Sequence, residues 1–442
     1  RPIQLSDHFT YRKLLQFVFP SIVMMIFTSI YGVVDGLFVS NFAGKTAFAA
    51  INLVMPFIMV LGGIGFMIGT GGTALVSKIL GEGDQEKARR YFSMMILFTV
   101  LVGLILTVLG VVFMEPVALF LGATPEMLTD CVLYGRIVIA FTGAFMLQNV
   151  FQSFLIAAEK PKLGLAATVA AGVTNMVLDA LFVAVFHWGI AGAATATGLS
   201  QCVGGLFPLL YFLRPNTSKL CLVRTKLELQ PILNACGNGS SELMSNISSS
   251  IVSMVYNFQL LKYLGEDGVS AYGVLMYVQF VFVAIYIGYS VGTAPIVSFH
   301  YGAGNRGELR GLLRRSGALL AVCAVCMLAA GQVLAAPLSR LYVGYDPGLF
   351  RMTSHAFSIF SFSFLFSGFA IYGSSFFTAL NDGLTSAIIA FLRALVFQVG
   401  AVLLFPLLWR LDGIWMSIVA AEVMAVVATG IFLLAKRKRY GY

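Results

Sequence analysis

Charge is what this sequence has least of. Asp, Glu, Lys and Arg make up only 11% of its 442 residues, where a soluble domain carries about 25%. With 59% hydrophobic residues and a mean hydropathy of +0.90, the chain lacks the polar surface to enclose an apolar core, so apolar side chains must face lipid. No long polar stretch exists that could form a separate soluble domain. Histidine is scarce, with His8, His187, His300 and His355 as the only four. They form no H-E-x-x-H or other ligand spacing, and His187, His300 and His355 have no acidic partner at helical spacing. No cofactor site is therefore expected, and an enzyme is excluded. The six cysteines lie in or beside apolar runs. Cys323 and Cys326 form one C-x-x-C in an apolar helix without a second motif, which reads as small packing residues. The chain starts at Arg1 and not at Met, which points to a trimmed sequence. Its first apolar run is too long for a signal-peptide core and has no small-residue cleavage site.

Apolar runs are what the chain has instead. A spanning helix needs about 20 mostly apolar residues. Twelve runs of that kind are predicted as spans, near 14–41, 47–77, 92–117, 130–157, 163–186, 190–213, 232–263, 269–299, 313–342, 352–380, 384–409 and 413–435. The Lys and Arg residues fall unevenly between them. One side collects clusters such as Lys78, Lys87, Arg89 and Arg90, then Arg306, Arg310, Arg314 and Arg315, then Lys436 to Arg439, twenty-one in all counting Arg1. The other side has five, Lys45, Lys262, Arg340, Arg351 and Arg410, while Arg136 and Arg393 lie within runs. Positive charge gathers on the cytoplasmic side, so both termini are expected there. The same placement accounts for the net charge of +9 without a nucleic-acid partner. Basic clusters beside spans meet lipid head groups.

The chain repeats itself. Gly72-Thr73-Ala74, then Gly81-Glu82-Gly83-Asp84, is matched by Gly292-Thr293-Ala294, then Gly302-Ala303-Gly304-Asn305. Gly189-Ile190 is matched by Gly413-Ile414. Six spans per copy is even, so the copies share one orientation about an axis along the membrane normal. Lobes at 1–215 and 231–442 are expected, joined by a cytoplasmic linker at 216–230, around a central cleft. The segment 302–307 matches G-x-G-x-x-G, but it follows an apolar helix and no strand, so it is a turn and not a dinucleotide site. No filter-like motif or ring of charges suggests a channel.

Four acids interrupt the runs: Asp35, Asp179, Glu242 and Glu422. Each costs about 2.5–3.5 kcal/mol at a helix centre, so each is a functional candidate. Tyr31 and Asp35 share a face at i,i+4, as do Asn175 and Asp179. Pro20, earlier in the first span, removes a helix hydrogen bond and invites a bend. Asn149, between Gln148 and Gln152, and Thr195 and Thr197 lie in neighbouring spans. If the first lobe is a compact bundle, these groups converge. Two carboxylates, amides, a hydroxyl and a phenol suit a hard cation such as Na⁺ at Asp35, Asn175, Asp179 and Thr197. They equally suit one proton shared between two carboxylates. Further candidates for a cleft are Glu242, Met146, Tyr256, Met276, Tyr277, Phe280, Tyr286 and Tyr289, since aromatic faces attract organic cations and Met adapts to varied shapes.

With these features the chain resembles the MATE family, the multidrug and toxic compound extrusion transporters, and within it the DinF/MepA-like bacterial branch. The resemblance implies two pseudo-symmetric six-helix bundles with a V-shaped cleft. It implies a cation-coupling site at Tyr31, Asp35, Asn149, Asn175, Asp179 and Thr197. It implies export of small amphipathic or cationic organic compounds in exchange for H⁺ or Na⁺, by a monomer in the bacterial inner membrane. The span 352–380 carries no acid, which argues against a second cation site. The alternatives are a dedicated metabolite exporter and a flippase for lipid-linked precursors. A flippase needs cations in the cleft, for which only Arg136 and Arg393 are available.

Overall fold

In lipid every backbone N–H and C=O must be satisfied within its own segment, so apolar runs of this length become helices. A computed structural model of the protein describes residues 2–216 and 218–442, without the side chains of Leu37, Ser40, Lys45, Phe48 and Leu411. Arg1, Thr217 of the linker and the Lys45 side chain, all used above, lie outside this description.

Twelve helical rods follow one another. The first half has α1 (Tyr11–Phe42), α2 (Lys45–Gly81), α3 (Gln85–Phe120), α4 (Pro125–Ala140) with α5 (Thr142–Ala157), α6 (Pro161–Asp179) and α7 (Ile190–Leu213). The second has α8 (Leu229–Tyr263), α9 (Gly265–Gly302), α10 (Arg306–Val343), α11 (Pro347–Phe360) with α12 (Phe364–Ala379), α13 (Gly383–Phe391) with α14 (Phe397–Trp409), and α15 (Leu411–Ala435). A single turn, α16 (Arg437–Tyr440), ends the chain. Ten rods are long and apolar enough to cross a membrane, and α4–α5 makes an eleventh span bent by 55°. The twelfth is α8, 35 residues long, whose Ser, Asn and Glu residues make it too polar for that test.

The sequence repeat has a local cause. Gly83 and Gly304 take positive φ, +91° and +71°, and close α2 and α9 with left-handed caps. The next residue starts the following helix: Asp84 accepts from Lys87 N at 3.1 Å and Asn305 from Glu308 N at 3.1 Å. The G-x-G-x-x-G segment is therefore a helix stop joined to a helix start. Other left-handed residues pair in the same way, Glu159 with Asn381 and His187 with Arg410.

Glycines also bring the halves together. A Cβ on Gly81 would strike the Phe299 carbonyl of α9, and one on Gly302 would strike the Lys78 carbonyl of α2. These two contacts are mirror copies across the repeat. Gly71 likewise lies against Ala235 and Gly239 of α8, and Gly292 against Val18 of α1. The contacts run from the end bearing both termini up to Gly63 against Leu243 and Asn246, and to Ser29, whose hydroxyl donates to the Phe280 carbonyl at 3.5 Å. The result is two pseudo-symmetric six-helix bundles with a V-shaped cleft between them, held together toward the terminal end by these glycine contacts.

Four rods are interrupted where the sequence predicts continuous spans. The α4–α5 bend lies at Phe141. Wide π-type turns at Ala180–Val185 and Leu392–Val396 interrupt the fifth rod of each bundle, and a tight turn at Ser361–Ser363 separates α11 from α12. Such π-type insertions concentrate at functional sites.

Candidate cation-coupling site

The first wide turn begins one residue after Asp179, which is fully buried. Asp35 approaches it from α1, close enough for the two carboxyl groups to influence one another. No donor satisfies Asp35 Oδ1, either Asp179 oxygen, Asn175 Oδ1 or Thr197 Oγ1, all buried and without partners among the described residues. Oxygen acceptors thus gather from α1, α6 and α7 at one place inside an apolar bundle. Unpaired buried carboxylates are costly, and a proton or a hard cation with oxygen ligands relieves that cost.

The surrounding groups fix this geometry. Tyr31, one turn below Asp35, packs on Phe27 with ring centroids 5.6 Å apart and directs its hydroxyl to Gln148 of α5. Gly172 of α6 leaves the space the Phe27 and Tyr31 rings fill. Asn149 is buried, but its amide donates to the Gly62 carbonyl of α2 at 3.1 Å, so it ties α5 to α2. Thr195 turns back on its own helix, donating to the Ala191 carbonyl at 2.7 Å. One residue of the site was not among the candidates read from the sequence. Tyr134 of α4 is 2% exposed and faces Thr197, Asp35 and Asp179. A tyrosine in an aromatic-rich run carries no signal of its own, and only the α4–α7 packing puts it here.

The second bundle holds a different arrangement at the corresponding place. The repeat offset puts Tyr256 of α8 where the first bundle has Asp35. Its hydroxyl hydrogen-bonds Gln398 Oε1 at 3.1 Å and Ser417 Oγ at 2.9 Å. Nearby, Arg393 grips Glu422 with two N–H···O bonds of 3.1 Å each, and Glu422 is 1% exposed. The carboxylate of this bundle already has a tethered cation.

The remaining cleft candidates divide. Met146 is fully buried and packs its backbone against Gly65 of α2, and Tyr256 is buried in its polar network; the fold brings neither to the cleft surface. Tyr286 and Tyr289 are also internal, donating to the Phe364 carbonyl and pairing with Ser316 Oγ. Tyr277 is exposed and stacks on Tyr342 of α10, and Phe280 is exposed. Glu242 is half-buried on α8 between Gly239 and Leu243, both of which touch α2. It therefore sits where the bundles begin to part. Arg136 donates to the Val111 carbonyl of α3 at 3.2 Å on the outer flank. His355 has an acidic partner after all, Asp412 at 3.0 Å from another helix, but the pair is exposed and without a nucleophile. All six cysteines are free.

Two pseudo-symmetric six-helix bundles with acids buried among their helices define a polytopic membrane transporter. The family model described as MatE matches residues 20–181 and, a second time, residues 243–404; the chain belongs to the MATE family. Among its relatives, the multidrug export protein MepA of Staphylococcus haemolyticus (strain JCSC1435) is 25% identical over 95% of this chain and 92% of its own length. MepA of Staphylococcus saprophyticus subsp. saprophyticus is 24% identical over 97% and 94%. In three dimensions the fold matches a solved multidrug resistance MATE family transporter of the MOP superfamily in its outward-facing conformation. The TM-score is 0.91 at 21% identity, covering 98% of this chain and 97% of that one.

Proposed function

We propose that this transporter is a monomeric antiporter of the bacterial cytoplasmic membrane, with both termini cytoplasmic, that exports small amphipathic organic cations in exchange for H⁺ or Na⁺. The observation that carries the reading is the convergence of partnerless oxygens at Asp35, Asn175, Asp179 and Thr197. The multidrug export named for the MepA relatives supports the substrate class. In this reading the working units are residues 1–215 and 231–442, joined by 216–230. The terminal face is the cytoplasmic one and the open V faces outward. Glu242, with no ion-pair partner among the described residues, supplies negative charge at the cleft floor for a cationic substrate. Tyr277 and Phe280 offer exposed aromatic surface above it. Entry of the coupling ion from outside neutralises Asp35 and Asp179 and lets α1 bend at Pro20, where the chain lacks an N–H for the Gln16 carbonyl. The cleft narrows and the substrate leaves. The flippase alternative is disfavoured, because Arg393 is engaged by Glu422 and Arg136 by α3.

Ion binding is testable without a known substrate. The purified protein should gain thermal stability with either added Na⁺ or falling pH. That gain should vanish in Asp179→Asn. Identical ion dependence in the variant would remove the site from the mechanism.

A further inference from the structure

The cytoplasmic-side cations of the two bundles are not equivalent. At the start of α3, Arg89 Nε donates to the Lys219 carbonyl of the linker at 2.9 Å and Gln85 donates to the same oxygen at 3.2 Å. Arg89 is thereby engaged by its own chain, and Lys87 and Arg90 lie on the neighbouring Tyr91 ring. At the matching start of α10 there is instead a cavity of about 540 Å³, walled by Arg310, Arg314 and Arg315 on one side and by Leu433, Leu434 and Arg437 on the other. Tyr442 completes the wall, and no Asp or Glu side chain lines it. Arg310, Arg314 and Arg437 have no ion-pair partner among the described residues. The nearest acid to Arg315 is Glu308, 3.8 Å away, and that carboxylate already holds His8 Nδ1 at 2.6 Å and Phe9 N at 2.9 Å. Arg315 Nη1 is left buried without an acceptor.

We infer that this cavity binds the phosphate of an anionic phospholipid head group. Guanidinium groups hold phosphate oxygens in bidentate pairs, and four of them around a cavity without an Asp or Glu side chain ask for a shared anion. The cavity lies where α10 begins and α15 ends, at the membrane boundary of spanning helices. Leu434 beside it is 74% exposed, giving an acyl chain an apolar surface to follow. A soluble phosphate has the same head-group chemistry but no use for that surface, so a lipid is the occupant. Because the cavity joins α10 to the C-terminal tail, a bound lipid fastens the tail to its bundle.

The test is native mass spectrometry of the whole chain titrated with phosphatidylglycerol, cardiolipin or phosphatidylcholine, with an inorganic phosphate arm. Phosphatidylglycerol and cardiolipin are expected to be retained over phosphatidylcholine. In the triple variant R310Q/R314Q/R437Q retention should fall at least about tenfold, while Lys438→Gln, one residue further along and outside the cavity, leaves it unchanged. Melting in phosphatidylcholine alone checks that the triple variant folds; Arg437→Gln by itself gives a milder second variant with the same expected direction. Equal retention of the two lipid classes, an unaffected triple variant, or an equal loss in Lys438→Gln would overturn the assignment. Full displacement of lipid by millimolar phosphate would make this a soluble-anion site and overturn the lipid reading.

Discussion

At Glu422 a carboxylate inside an apolar bundle meets a cation on its own chain, Arg393. At Asp35 and Asp179 it meets only other oxygens. The contrast predicts opposite responses to mutation. Removing one partner of a buried pair leaves the other charge bare and costs about 3–5 kcal/mol, whereas replacing both by apolar groups of similar size is near neutral or stabilising. Arg393→Met should therefore lower the melting temperature strongly and R393M/E422M should restore it, as read by thermal unfolding in detergent. Outside the spans, Asp382 gives a pH-dependent case. Burial pushes its carboxyl up, but the Thr385 hydroxyl and N–H, the Tyr440 hydroxyl and Lys436 outweigh this and hold it below its ordinary value. A depressed folded pKa contributes stability that is present above the unfolded value, near 4, and is lost as pH falls through the folded one. Wild type should thus lose stability below about pH 4 relative to Asp382→Asn, a difference that melting curves from pH 3 to 6 would reveal. Asp35, Asn175, Asp179 and Thr197 were legible in the sequence because polar groups in apolar runs are costly. Tyr134 was not, because its role exists only once α4 packs on α7.

The helices carry the repeat, and most of it was legible. Twelve apolar runs gave twelve rods, and the G-E-G-D and G-A-G-N segments gave matching turns. What the runs did not disclose are their interruptions at Phe141, 180–185, 361–363 and 392–396, since apolarity is indifferent to one residue more or less in a turn. The run at 232–263 became α8, whose Asn246 packs against Gly63 of α2. Met146 and Tyr256 went into bundle interiors because a residue type shows that a side chain is adaptable or aromatic, and not which way its helix turns. Two substitutions test this level. Gly304, at φ +71°, should lose about 1 kcal/mol on change to Ala through the left-handed cap. Gly71→Ala would drive a Cβ into the Ala235 carbonyl and force the bundles apart at the terminal end. A cysteine placed at Met67 in that background should react with a membrane-impermeant maleimide from the terminal side, and unchanged protection would refute the packing argument.

Across the whole molecule the N-terminal segment straps the two bundles together. Leu5 N donates to Glu159 of the first bundle at 3.1 Å, while His8 and Phe9 hold Glu308 of the second. With the glycine contacts between α2 and α9, this strap holds the terminal face together, and the proposed antiport cycle would have to open it. The account stands or falls on what drives that opening. The most direct measurement is export of ethidium by membrane vesicles under separately imposed proton and Na⁺ gradients, comparing wild type with Asp35→Asn. The expected result is export that follows one of the two gradients and disappears in the variant. Gradient-driven export by Asp35→Asn at the wild-type rate would contradict the central claim.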